Sequence, residues 1–114
     1  MLTTAADANE LARLARTLVE ERLAACVTIV PTVRSIYRWK GAVEDQPEAL
    51  GVIKTTRQRY PAIEKRWTEL HSYDVPELLV LTVDGGLPAY LSWLVESTCA
   101  ETGSYTLSQK ADGA

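Results

Sequence analysis

Residues 26 to 39, CVTIVPTVRSIYRW, are fourteen consecutive positions rich in β-branched and aromatic side chains. That composition suits a pleated, half-buried strand. Counted by twos, Val27, Ile29, Val33, Tyr37 and Trp39 fall on one face, and Thr28, Thr32, Arg34 and Arg38 on the other. This is the alternation of a strand with one buried face. Fully extended, the run would reach about 45 Å, well past the usual strand of about five or six residues. Pro31 cannot donate a ladder hydrogen bond, so it marks a bulge, a bend or an edge. A strand this long either bends sharply or reaches beyond its own domain. The second reading is favoured, because a projecting amphipathic ribbon needs a partner. Tyr37 and Trp39 at its far end then read as interface anchors rather than a ligand box.

The flanking segments supply the rest of a small domain. MLTT reads as a short first strand. Asp7, with Glu10 three residues on, starts a helix in the manner of a capping box. Leu11, Leu14, Ala15, Leu18 and Val19 make its apolar stripe, and Arg13, Arg16, Glu20 and Glu21 face away. A hairpin turn is expected at Lys40–Gly41, followed by a polar stretch around Pro47 and a strand near Leu50 to Thr55. RYPAIEKRWTELH reads as a second helix with Pro61 in its first turn and Ile63, Trp67 and Leu70 inward. The continuous apolar run ELLVLTV predicts a central strand, and Pro88 opens a third helix. The order strand, helix, strand, strand, helix, strand, helix predicts an α+β, ferredoxin-like split β-α-β sandwich. It spans residues 1–100, with 101–114 as a polar, flexible tail.

Composition narrows the function classes. A chain of 114 residues is one domain and can bury a core without staples. Net charge is −3 and the basic residues are scattered, so no nucleic-acid footprint is expected. Apolar runs are too short to cross a bilayer, and the start lacks a signal-peptide pattern, which predicts no membrane partner and a cytoplasmic location. Cys26 and Cys99 make no disulfide framework and read as buried thiols. DGG is followed by Leu87 and Pro88, not by a phosphate-loop lysine. No G-x-S-x-G elbow is present, and the lone Asn9 in the first helix argues against an acylphosphatase-type site.

The segment HSYDVPE, residues 71 to 77, holds the chain's one histidine. His71, Asp74 and Glu77 could supply a nitrogen and two oxygens, a mixed set compatible with copper or zinc. A histidine at a helix end equally serves to cap carbonyls, and the bland reading is favoured for a single chain. Symmetry in an oligomer would multiply the ligands. Tyr73 reads as packing. Glu77 stands at the mouth of an apolar strand, where a charge must find a partner or water. An acid–base pair of Glu77 and His71 is a third reading, and it requires a raised carboxylate pKa at Glu77.

Together, LVEERLAACVTIVP, SIYRWKG, IKT, the H-x-Y-x-V-P-E pattern and YLSWL resemble the CutA family of divalent-cation tolerance proteins, over residues 2 to 98. The resemblance implies a ferredoxin-like protomer in a tight homotrimer whose long strands pair between subunits. It implies a role in the response to metal ions, with weak binding of Cu(II) or another divalent metal and no catalytic reaction or organic cofactor. The alternative is a trimeric scaffold or small-molecule signalling protein, related in architecture to the nitrogen-regulatory trimers. Family members with reported metal binding use a first-strand cysteine, a histidine or histidine pair, and the glutamate of PE. Here Thr3 stands in place of the cysteine, Leu70 precedes His71, and Ser72 replaces a usual proline. His71 and Glu77 are the positions that match, with Asp74 as a third. The missing thiolate weakens soft-metal binding in particular. The first strand is also shorter than the family's.

Overall fold

A computed structural model describes residues 1–99; the expected tail, 101–114, lies outside the described residues. The elements are β1 (Leu2–Ala5), α1 (Ala8–Glu20), β2 (Cys26–Trp39), β3 (Ala42–Lys54), α2 (Tyr60–Leu70), β4 (Leu78–Leu79) and α3 (Pro88–Ser97). A 3-10 turn, Arg57–Arg59, precedes α2. The four strands form one antiparallel sheet in the order β2-β3-β1-β4, which is the expected split β-α-β arrangement.

Local chemistry sets the helices. Extended Asp7 accepts the Glu10 N–H on Oδ1 at 2.8 Å, satisfying one orphan donor of α1. Leu11, Leu14, Ala15 and Leu18 are buried, whereas Val19, expected on that stripe, is 41% exposed at its margin. In α2, Pro61 takes the first turn and Ile63 and Trp67 are fully buried. Gly51 of β3 permits the close approach of sheet and α1. A Cβ there would stand 3.0 Å from Thr3 Cγ2 and 3.2 Å from Leu11 Cδ2.

The long ribbon is a complete hairpin. Lys40 and Gly41 both take positive φ, 51° and 82°, the turn geometry that matches the twist of paired strands. β3 is longer than expected, because the ladder runs unbroken from Trp39–Ala42 through Pro47 opposite Arg34. β1 pairs only with Ala49 to Val52. Pro47 therefore lies where one side of β3 is open, the setting that tolerates a strand proline. The outer half of the hairpin projects beyond β1, and the described molecule measures 52 × 27 × 24 Å.

At Pro31 the expected bulge is present, and it overturns the expected single face. Val30 pairs with Leu50 and Val33 with Glu48, so Pro31 and Thr32 together oppose Ala49. One extra residue inverts the alternation of everything beyond it. Val27 and Ile29 pair with Ile53 and Gly51 on the helix-covered face. Val33, Tyr37 and Trp39 pair with Glu48, Glu44 and Ala42 and share the opposite face. In the single chain Tyr37 and Trp39 remain about two-fifths exposed, at 41% and 40%.

The run ELLVLTV also departs from expectation. Only Leu78–Leu79 pair, and they form the sheet's edge rather than its centre. Leu79, Val80, Leu81 and Val83 are all exposed, so among the described residues this apolar segment is left largely uncovered. Cys26 and Cys99 are half-buried rather than buried.

An aromatic and carboxylate cleft at the hairpin base

The segment after α2 is held by a chain of hydrogen bonds. His71 closes the helix in an extended conformation, its N–H bonded to the Trp67 carbonyl at 2.9 Å. Its Nε2 lies 2.7 Å from the Thr4 carbonyl. A carbonyl can only accept, so Nε2 carries the proton and donates. Nδ1 then accepts the Tyr73 N–H at 3.0 Å. The ring is buried, 4.7 Å from that of Tyr73. Both nitrogens are therefore engaged, and in this arrangement His71 presents no lone pair to a metal. It fixes the loop instead.

Tyr73 is more than packing. Its hydroxyl donates to Glu48 Oε2 at 2.6 Å, and burial together with that acceptor pushes the phenol well above its ordinary pKa. Glu48 itself is only 8% exposed. On the other side of the loop, Glu10 Oε2 accepts the Ser72 N–H at 3.1 Å. Burial raises the Glu10 carboxyl, but the hydrogen bonds from Ser72 outweigh it and leave the pKa lowered. The Thr3 hydroxyl donates to the Glu77 carbonyl at 2.7 Å and accepts the Trp67 Nε1–H at 2.8 Å, tying the site to the core. Burial and the nearby Glu48 charge raise the Glu77 carboxyl above the usual glutamate range.

These groups surround a cleft of about 660 Å³ lined by Thr4, Ser35, Ile36, Tyr37, Trp39, Glu48, Ser72, Tyr73, Asp74, Val75 and Glu77. The structure brings Asp74 and Glu77 together there and sets His71 behind them. Tyr37, Trp39 and Tyr73, expected at an interface or in packing, join the site, and so does Glu48 from the stretch expected to be merely polar. For Glu48 a signal existed: like Glu77, it is a carboxylate immediately before an apolar run. The raised Glu77 pKa meets the condition for acid–base chemistry, but its supposed partner has no free nitrogen.

Among the described residues, no three His, Cys, Asp or Glu side chains converge as a metal-binding group. The cleft's carboxylates are oxygen donors, which suit hard divalent cations. Without thiolate or free imidazole the fit to a soft ion is poor.

A sheet in the order β2-β3-β1-β4 with an over-long hairpin and this cleft defines a ferredoxin-like protomer of a recognisable kind. The family model for the CutA1 divalent ion tolerance protein matches residues 1–97, and the chain belongs to that family. It is 50% identical over 91 residues to the divalent-cation tolerance protein CutA of Thermus thermophilus, covering 79% of this chain and 88% of that one. The solved Thermus thermophilus structure superposes with a TM-score of 0.83 at 45% identity, over 86% of this chain and 95% of that one. A Nostoc structure described as a PII-like protein CutA superposes at 0.80 with 35% identity, over 88% and 96%.

The expected cytoplasmic location does not stand. A solved relative from Archaeoglobus fulgidus, 30% identical, is described as periplasmic, and a protein from Arabidopsis thaliana, 43% identical over 86 residues, as chloroplastic. Family membership thus fixes no compartment. No described helix is long and apolar enough to cross a membrane.

Proposed function

We propose that the chain works as a non-enzymatic homotrimer that weakly binds a divalent cation at this cleft, in the response to metal ions. Asp74 and Glu77 supply carboxylate oxygens, neighbouring subunits complete the ligand set at an inter-subunit cleft, and His71 holds their segment in place. The observation that carries the reading is the raised carboxyl of Glu77. Glu48 lies close enough to oppose its ionisation, and a divalent cation relieves that repulsion. Such a set favours a hard ion, with Cu(II) accepted through oxygen rather than sulfur. The trimer is supported by the exposed apolar run of Leu79 to Val83 and by the projecting hairpin. A second reading, a trimeric scaffold or small-molecule signalling protein, is favoured by the size of the cleft, far larger than an ion requires.

Native mass spectrometry during Mn(II) and Cu(II) titrations tests this directly. A trimer taking up about one ion per subunit is expected. The affinity should rise with pH as Glu77 loses the proton that competes with the metal, and Glu77→Gln should abolish that dependence. A trimer that stays bare would move function to the second reading, and a monomer would overturn the assembly.

A further inference from the structure

The cleft is built for more than an ion. Its lining combines three aromatic rings, Tyr37, Trp39 and Tyr73, with three carboxylates, Glu48, Asp74 and Glu77, and no lysine or arginine. Around Glu48, Asp74 and Glu77 an anionic ligand would meet repulsion, which disfavours phosphates and carboxylic acids in that part of the cleft. Aromatic faces beside carboxylates recognise a positive charge carried on an apolar body. Two further observations point to such a ligand. Glu48 is more than nine-tenths buried, yet only Oε2 has a hydrogen-bond partner among the described residues, which leaves Oε1 for an incoming donor. At the cleft's outer end, the Lys40 ammonium already stands 5.7 Å from the Trp39 ring centre, so this ring attracts an alkylammonium within its own chain.

We infer that the cleft binds a small organic ammonium compound, its cationic nitrogen at Glu48 and Glu77 and its alkyl body against Tyr37, Trp39 and Tyr73. The inference deepens the reading of this cleft as a cation site by naming a second class of cation. It depends on the aromatic walls, which a metal ion does not use. A cleft of about 660 Å³ accommodates a chain of several carbons, within the ordinary range of small-molecule sites.

The test is calorimetric titration of the whole chain, in the assembly it forms, with n-pentylammonium chloride, 1-pentanol and sodium pentanoate. Saturable binding of the ammonium at about one per subunit is expected, with none of the isosteric alcohol or the carboxylate. Glu77→Gln, which keeps the shape and removes the charge, should weaken ammonium binding roughly tenfold, as loss of a charge-assisted contact does. Trp39→Leu, at unchanged assembly mass by light scattering, should weaken it severalfold, and Mn(II) titration of the unaltered chain separates the aromatic-cleft inference from the metal reading. Mn(II) uptake without ammonium binding would overturn the inference alone. Equal binding of pentanol would overturn it too, by showing an apolar pocket indifferent to charge. Ammonium binding without Mn(II) uptake would uphold it and remove the metal.

Discussion

At the scale of single residues, the clearest case is Thr3, which occupies the position where metal-binding relatives are expected to carry cysteine. It is fully buried, and its hydroxyl is the middle of a relay, Trp67 Nε1–H to Thr3 Oγ1 to the Glu77 carbonyl. The residue that could have bound metal is instead what fixes the backbone at Glu77. Valine has the same outline but no hydroxyl. Thr3→Val therefore leaves a buried indole N–H and a carbonyl unpaired, at about 1–3 kcal/mol for each unsatisfied group. Thr3→Ser keeps both bonds and loses one methyl, about 1 kcal/mol. Urea unfolding should rank the variants wild type, serine, valine, with valine about 2–6 kcal/mol below wild type. A valine variant at least as stable as the serine one would show that the relay adds nothing to the methyl's packing.

At the scale of elements, the two-residue bulge at Pro31–Thr32 decides which face of the hairpin meets the cleft. Inserting one alanine between Glu48 and Ala49 gives Pro31 and Thr32 two partners and restores unbroken alternation, which turns Glu48, Tyr37 and Trp39 to the other face and brings Ile36 and Arg38 round in their place. The ladder below the bulge, Cys26 to Val30, and the core under α1 and α2 keep their pairing. The insertion variant should thus remain folded by circular dichroism while losing the contacts that link Tyr73 to Glu48 in nuclear Overhauser spectra. Persistence of those contacts would mean the hairpin re-forms its bulge elsewhere. The same element shows what sequence can reveal. α1 was legible because its cap at Asp7 and its stripe at Leu11, Leu14, Ala15 and Leu18 are local, three and four residues apart. The length of β2 and the bulge at Pro31 were legible for the same reason. The face of Tyr37 and Trp39 was not, because it depends on how many residues of β3 oppose Pro31 and Thr32, a fact of the partner strand. Likewise Asp74 and Glu77 could be found together since they are neighbours in sequence, whereas Glu48, Tyr37 and Trp39 reach the cleft only through the hairpin. His71 was legible as a helix end but not as spent, because its partner is the carbonyl of Thr4, 67 positions away.

At the scale of the whole molecule, composition and surroundings disagree in the apolar run after Pro76. Composition predicts a buried central strand, but Leu81 and Val83 are 58% and 71% exposed, and Leu87 and Val95 beyond them are exposed as well. Scattered exposed leucines mean little, but a contiguous apolar stretch is rare on soluble monomers and marks an interface. Sequence could say that this stretch must be covered and could not say by which chain. The proposed trimer supplies the cover: each subunit presents an edge segment and a projecting hairpin, and a closed ring leaves neither unpaired. Because Leu81 and Val83 take no part in the core formed by Leu11, Leu18, Ile53, Ile63 and Trp67, charges placed there should cost assembly and spare the fold. Leu81→Lys with Val83→Lys is therefore expected to give single-chain mass by light scattering while retaining helix and sheet content by circular dichroism. Lysines buried without a partner charge against the next subunit would cost several kcal/mol per interface, enough to dissociate a trimer at micromolar concentration. A double variant that remained trimeric would place the subunit contact elsewhere and leave the hairpin, with its inverted aromatic face, to hold the assembly alone.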